Sequence, residues 1–115
     1  MSARAQLTTA TLALASMHCR AGAPRLAADE LAVHMASLPG WTAAPTAIAK
    51  EFAFANYHET IAFVNALAWI AHAQDHHPDL AVHYGKCIVT FGTHDAGGTT
   101  LNDVICAAKT ERLFA

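Results

Sequence analysis

The sequence predicts an α+β two-layer sandwich, in which helices cover one face of a four-stranded antiparallel sheet in the order α-β-β-α-β-β-α. Three observations lead to this prediction. Apolar residues recur at three- and four-residue spacing in three segments, which is typical of helices. Two pairs of short segments with alternating apolar residues lie between them, and each pair is joined locally. Strands joined locally, with helices on one side, form this architecture.

Length and composition limit the possible functions. A chain of 115 residues is one domain. Apolar residues make up 54% and charged residues only 14%, below the usual share of about 25%, which favours a homo-oligomer that hides apolar surface. The net charge of -2 and the lack of any Lys/Arg run give no reason to expect a nucleic-acid partner. No apolar run is long enough to predict a membrane span.

Residues 1–25 are expected to form an N-terminal extension, and residues 26–115 the domain itself. The first 28 residues contain no acid but hold three arginines. Acid-poor leaders with arginine occur in organelle transit peptides. The predicted compartment is the cytoplasm, and the leader makes a mitochondrial location the alternative. Cys19, Cys87 and Cys106 form no CxxC pair, which predicts three reduced thiols.

The first predicted helix covers residues 26–38. Asp29 and Glu30 lie in its first turn, where negative charge suits the helix dipole, and Pro39-Gly40 ends it. Residues 41–43 and 48–55 are predicted as the first two strands.

The longest predicted helix starts after Asn56 and runs to about His76. Asn56 suits the N-cap, and Glu59 three residues later fits a capping box. Pro78 disfavours helical geometry at His77, so the helix should end there. The two histidines are therefore predicted at a helix C-terminus.

Residues 80–84 and 87–93 are predicted as a β-hairpin that turns at Gly85-Lys86. Thr99 or Thr100 should cap a last helix, with Asp103 in the acidic position of the capping box. The buried side of that helix is predicted from one apolar row, Leu101, Val104, Ile105 and Ala108.

The segment Asp75-His76-His77-Pro78 carries the chemistry, together with His94 just past the second hairpin strand. Imidazole is the side chain whose unperturbed pKa lies near neutrality, so three rings indicate proton transfer or metal binding. We expect the unwinding at Pro78 to turn both neighbouring histidines into one hollow, which His94 closes from the sheet side. Neighbouring imidazolium ions repel, which splits their pKa values into one proton donor and one acceptor.

Metal binding and a structural role are the alternatives. His72 and His76 are four residues apart, a helical spacing able to hold zinc, and His94 could be a third ligand. Ala73 stands where a His-Glu-x-x-His motif has its glutamate. In the structural interpretation the histidines cap the helix and bind carbonyl groups. The residues by themselves leave these alternatives open.

A longer series of spacings resembles the pterin-4a-carbinolamine dehydratase family and covers residues 26–115. It comprises Gly40-Trp41, Phe52-Ala53-Phe54, Asp75-His76-His77-Pro78-Asp79, Tyr84, Thr93-His94 and Asp103. The sequence departs from many family members at His72, where they carry glutamate, and at Leu80, where they carry tryptophan. The resemblance implies a four-stranded antiparallel sheet with helices on one face, and a homodimer or homotetramer.

The resemblance also implies an activity, the dehydration of 4a-hydroxytetrahydropterin to quinonoid dihydropterin in tetrahydrobiopterin recycling, with no metal and no organic cofactor. The implied catalytic residues are His76, His77 and His94. His76 and His94 would carry the proton transfers, and His77 would mainly orient the pterin. Further pterin contacts are implied at Pro78, Thr93, Asp95 and Ala96, supported from behind by His72, Asp75 and Asp103. The other hypotheses are a non-catalytic dimerisation or coactivator protein and a metal-dependent histidine-box enzyme.

Overall fold

The computed structural model describes residues 7–115, so the first six residues of the predicted extension lie outside it. The described chain forms four α-helices, four strands and one 3-10 turn, and the predicted α+β class is confirmed. The elements are α1 (Thr9–Ala15), α2 (Ala28–Met35), β1 (Thr42–Ala43), β2 (Ile48–Ala53), α3 (Tyr57–Gln74), β3 (Asp79–Val82), β4 (Lys86–Phe91), the 3-10 turn His94–Ala96 and α4 (Leu101–Arg112).

The sheet has the strand order β1-β2-β4-β3, and each neighbouring pair is antiparallel. The predicted hairpin is present as β3 and β4, with Leu80 opposite Val89. Its turn lies one residue earlier than predicted, because the His83 N–H donates to the Lys86 carbonyl and Lys86 already belongs to β4. Since β3 is an edge strand, β4 lies inside the sheet and carries its most buried side chains.

One face of the sheet packs on α3 and α4. The inward side chains of β2 and β4 are buried, whereas those between them are half-buried or exposed, as the two-residue period of a strand requires. The core cluster joins both strands to α3 and α4, and it includes Ile48, Phe52, Phe63, Leu67, Val89, Phe91 and Val104. The helices therefore form the second layer that the sequence predicts.

The last helix is buried on more sides than its apolar row predicts. Every residue from 102 to 111 is buried, including Lys109 and Glu111. The reason is α1, which packs against α4 and which the sequence pattern did not indicate. Lys109 donates to the Ala15 carbonyl at the end of α1 (2.8 Å), so a charged residue of α4 serves to bind the extension.

Helix α3 ends two residues before the predicted His76. The predicted cap Asn56 accepts the Glu59 N–H at 2.8 Å, but the Glu59 carboxylate reaches the N–H of Ala55 rather than that of the cap. At the other end, Asp75 adopts a left-handed conformation with φ of 49° and terminates the helix before Pro78 can act. No helix among residues 7–115 is long and apolar enough to cross a membrane.

A buried ion pair joins the sheet to α4. Glu111, buried on α4, accepts hydrogen bonds from Lys50 Nζ (2.9 Å) and from Trp41 Nε1 (3.1 Å). The Lys50 side chain is mostly covered, and its ammonium lies 5.0 Å from the centre of the Phe52 ring. Removing one partner of such a pair leaves a buried charge without its counter-ion.

We therefore expect Lys50→Ala to lower the free energy of unfolding by about 2–3 kcal/mol, less than for a fully buried pair because Lys50 keeps some solvent contact. Urea denaturation followed by circular dichroism measures the change. Lys86→Ala is the matched control, because Lys86 faces Glu51 at 3.7 Å in an exposed pair and should cost less than about 0.5 kcal/mol. Equal losses in the two variants would contradict a stabilising role for the Glu111 pair.

Candidate active site

The left-handed residue Asp75 sets the direction of the histidine segment. It closes α3 in a Schellman-like arrangement, in which the N–H of His76 donates to the Ala71 carbonyl (3.1 Å). From His76 onwards the side chains alternate between half-buried and exposed as far as Leu80. Successive side chains of an extended chain point to opposite sides, so His76 turns inward and His77 turns out.

Asp103 lies behind His76 at the start of α4. Its carboxylate is fully buried, and its Oδ2 accepts the backbone N–H of Thr100 at 2.8 Å. The Thr100 hydroxyl in turn accepts the N–H of Asn102 at 3.2 Å, which gives the capping box that the sequence predicts. The carboxylate is therefore fixed by the same hydrogen bonds that start the helix.

His76 makes a charge-assisted hydrogen bond to this carboxylate. Nε2 of His76 lies 2.5 Å from Oδ1 of Asp103, and since an ionised carboxylate only accepts, Nε2 carries the proton. The ring also stacks on Phe91, with 6.1 Å between ring centres. The hydrogen bond to Asp103 raises the pKa of His76 above its ordinary value, although partial burial opposes the shift.

A short chain of hydroxyl groups completes the coordination of Asp103. The Thr93 hydroxyl donates to Oδ2 of Asp103 (2.8 Å) and lies 2.8 Å from the Thr100 hydroxyl. Each hydroxyl has one proton, so a consistent arrangement has Thr100 donating to Thr93 and Thr93 donating to the carboxylate. Asp103 thus connects the chain after α3, the loop after β4 and the first turn of α4.

Two cavities meet at Thr93. The first has a volume of about 620 Å³, and the second about 370 Å³. Of the residues predicted for the site, the first cavity is lined by Asp75, His76, Thr93, Asp95 and Ala96. The second is lined by His77, Thr93 and His94.

The three histidines do not line one cavity in this structure, although the two cavities adjoin at Thr93. His76 faces one cavity, while His77 and His94 face the other, because the extended chain after Asp75 sends neighbouring side chains to opposite sides. Three further predicted residues, Pro78, His72 and the buried Asp103, line neither cavity. His72 lies on α3 beside the exposed Trp69, with 6.0 Å between their rings.

The 3-10 turn that carries His94 is closed by glycines. Thr93 pairs with Gly98, and Gly97 between them has φ of 74°, which suits glycine. Gly92 allows a close approach on the other side, since a Cβ there would lie only 2.9 Å from the Thr46 carbonyl oxygen. This approach brings residues 46–47 to the wall of the second cavity.

The extension supplies wall residues that the sequence did not indicate. Residues 19–25 line the first cavity opposite His76. Asn102 holds them by two hydrogen bonds to the Arg20 backbone (2.7 and 3.0 Å), and Arg25 pairs with Thr100. The sequence indicates Cys19 only as a reduced thiol and the arginines only as part of an acid-poor leader, and no local pattern ties these residues to the histidines.

Among residues 7–115, no three His, Cys, Asp or Glu side chains are grouped so that they could hold a metal ion.

Comparison with known proteins assigns the family. The sequence model of the family described as pterin 4 alpha carbinolamine dehydratase matches residues 24–113. The chain belongs to this dehydratase family. A relative from Chromobacterium violaceum, named "Putative pterin-4-alpha-carbinolamine dehydratase", is 62% identical over 80 residues, 70% of this chain and 74% of the relative. A relative of the same name from Xanthomonas oryzae pv. oryzae is 50% identical over 111 residues, covering 92% of this chain and 94% of its own.

Solved structures of the dehydratase family have the same fold. A "transcriptional coactivator/pterin dehydratase" from Brucella melitensis superposes with a TM-score of 0.76 at 29% identity, covering 79% of this chain and 99% of that one. A pterin dehydratase-like protein described as a RuBisCO assembly factor in the alpha-carboxysome gives a TM-score of 0.54 at 25% identity, covering 65% and 87%. Proteins of this fold therefore carry names for more than one role.

Replacing Asp103 by asparagine should lower the pKa of His76, because the neutral amide cannot stabilise the imidazolium ion. Titration of the ring protons by NMR measures this pKa directly. Asp95→Asn is the control, since Asp95 is exposed in the same cavity and makes no side-chain hydrogen bond among the described residues. A pKa of His76 that is unchanged in Asp103→Asn would contradict the ion pair.

The ion pair should also make stability depend on pH. The pKa of His76 is raised in the folded state. The pair therefore makes its full contribution to the free energy of unfolding below about pH 6.5, the ordinary pKa of histidine, and this contribution is lost as pH rises through the folded pKa. We expect the difference in unfolding free energy between the wild type and His76→Gln to be largest near pH 6 and to shrink by about pH 9. Urea denaturation across this range measures it. A difference that grows with pH would refute the assignment.

Proposed function

We propose that the chain is a hydro-lyase that dehydrates 4a-hydroxytetrahydropterin to quinonoid dihydropterin, the reaction of tetrahydrobiopterin recycling. One observation carries the proposal beyond family membership. A buried carboxylate, Asp103, holds His76 at the wall of a cavity large enough for a bicyclic ligand. A histidine whose pKa is raised above its ordinary value, beside such a cavity, is suited to general acid catalysis.

The reaction needs two proton transfers and no redox step. The C4a–O bond breaks as the departing hydroxyl takes a proton and leaves as water. The proton on N5 is removed, and its bond electrons form the N5–C4a double bond. In this proposal one proton moves from an acid to the hydroxyl and another moves from N5 to a base. The acid has then lost one proton and the base has gained one, and exchange with solvent restores both groups. The scheme uses no metal and no organic cofactor.

His76 is the proposed acid. Its pKa is raised by Asp103, so more of it is protonated at neutral pH than of an ordinary histidine. Nε2 is occupied by the carboxylate, which leaves Nδ1 for the proton delivered to the hydroxyl. Asp103 is a positioning residue here, because it acts only through the imidazole ring.

His94 is the proposed base, and His77 binds and orients the ring. Both line the second cavity, which meets the first at Thr93. We therefore place the pterin across Thr93, with its C4a hydroxyl towards His76 and its N5 towards His94. Asp95 and Ala96 follow in the same turn and would contact the ring from the first cavity.

The alternative function is a non-catalytic interaction role. The names of the two solved relatives include a coactivator and an assembly factor. The exposed aromatic side chains Tyr57, Trp69 and Tyr84 of the described surface suit contact with another chain.

We propose a homodimer or homotetramer, which light scattering on the purified protein would test. Oligomerisation is compatible with either function.

The decisive experiment generates the 4a-hydroxypterin in situ and follows the ultraviolet change on conversion to the quinonoid form. The wild type should accelerate dehydration, and His76→Ala and His94→Ala should each lower kcat by about 10²- to 10⁴-fold, the usual contribution of a proton-transfer group. His77→Ala should mainly raise KM.

His58→Ala provides the matched control. His58 is an exposed histidine in the first turn of α3 and lines neither cavity, so its removal should leave the rate at the wild-type value. Full activity in both His76→Ala and His94→Ala would reject the catalytic assignment. A wild-type protein without any acceleration would favour the interaction role.

A further inference from the structure

Two of the three cysteines lie in contact beside the first cavity. Sγ of Cys19 is 3.5 Å from Sγ of Cys106, although 86 residues separate them in the chain. Cys19 lies in the wall segment that follows α1 and is half-buried at the cavity, whereas Cys106 is fully buried on α4. The third cysteine, Cys87, is buried in β4, and its side chain makes no hydrogen bond among the described residues.

The two thiols are chemically unequal. The hydrogen bond from Cys106 lowers the pKa of Cys19, and the positive charges of His76 and Lys109 act in the same direction against burial and Asp103. The same contact raises the pKa of Cys106, which keeps its proton. A partly accessible thiol with more thiolate character, next to a protonated one, is the usual arrangement of an attacking and a resolving cysteine.

We propose that Cys19 and Cys106 are a modification site, which a peroxide oxidant converts into a reversible disulfide that ties the wall of the first cavity to α4. In the first step the Cys19 thiolate attacks a peroxide oxygen and breaks the O–O bond. Cys19 becomes a sulfenic acid, and the peroxide is reduced to water or an alcohol. In the second step Cys106 attacks the Cys19 sulfur, the S–S bond forms, and water leaves with the Cys106 proton.

The geometry allows this closure with little rearrangement. The sulfur atoms must approach from 3.5 Å to about 2.05 Å. Cys19 lies outside any helix or strand, but its backbone N–H donates to the Gln74 side chain (2.8 Å), so the approach of the sulfur atoms rests mainly on rotation of the Cys19 side chain. A small-molecule or protein dithiol reverses the reaction by thiol exchange, which suits a compartment that keeps most thiols reduced.

The disulfide would act on the candidate site through its wall. Cys106 follows Asp103 by three residues on α4, so the bond would link residues 19–25 to the turn that holds the His76 partner. This inference concerns the thiols of the chain and does not depend on the proposed dehydration. Failure of either one leaves the other standing.

The test uses trypsin mapping after a brief treatment with hydrogen peroxide and alkylation in denaturant. Cys87 and Cys106 fall in the same tryptic peptide, residues 87–109, so Cys87→Ser is the background that makes the assignment unambiguous. We expect a peptide pair joining Cys19 to Cys106, lighter by two hydrogens than its parts and separated by dithiothreitol. The oxidised wild type should retain one alkylatable thiol, Cys87, where the reduced protein has three.

Single variants complete the test. Cys19→Ser and Cys106→Ala should each abolish the joined peptides. Alanine is chosen at position 106 because Cys106 is buried and serine would place a hydroxyl in the core. Three free thiols after treatment, a Cys19 oxidised to sulfinic acid with Cys106 still free, or a disulfide between two chains would each overturn the proposal.

Discussion

The buried carboxylate of Asp103 is the constraint on which the site depends. A charge without solvent must be compensated in full, and here the donors come from three separate parts of the chain: the Thr100 N–H, the Thr93 hydroxyl and the His76 ring. Satisfying the carboxylate therefore fixes the start of α4, the loop after β4 and the segment after α3 in one arrangement. The contacts that fold this part of the chain therefore also fix the position of the His76 ring.

The N-terminal segment forms part of the wall of the candidate site. The family match begins at residue 24, yet residues 19–23 line the larger cavity and α1 covers the outer side of α4. The burial of Lys109 follows from this, and burial lowers its pKa. The Xanthomonas relative aligns over 92% of the chain, so sequence related to the segment occurs beyond this protein. Removing residues 7–23 would open the cavity on one side and expose a row of α4.

Much of the fold and part of the site could be predicted from sequence. Alternation in β2 and β4, the Asn56 and Thr100 caps and the apolar row of α4 are local signals, and the structure has all of them. The end of α3 was missed because the left-handed Asp75 acts before Pro78 and has no strong signature outside glycine. Helix α1 and the wall at Cys19 could not be found, because their partners on α4 lie far along the chain. The division of the histidines between two cavities depends on that same misplaced helix end.

The position of Thr93 between the two cavities has a practical consequence for ligand design. The two cavities adjoin at this residue, and both are open to solvent. A compound that occupies only one of them does not contact all three histidines, so we expect small fragments to bind weakly. Two fragments could be joined by a rigid spacer that crosses Thr93. Once the first fragment is bound, the second binds intramolecularly at a high effective concentration, so the joined compound binds more tightly than either fragment. The spacer length, more than either fragment, would then decide which relatives of this enzyme family a compound can tell apart.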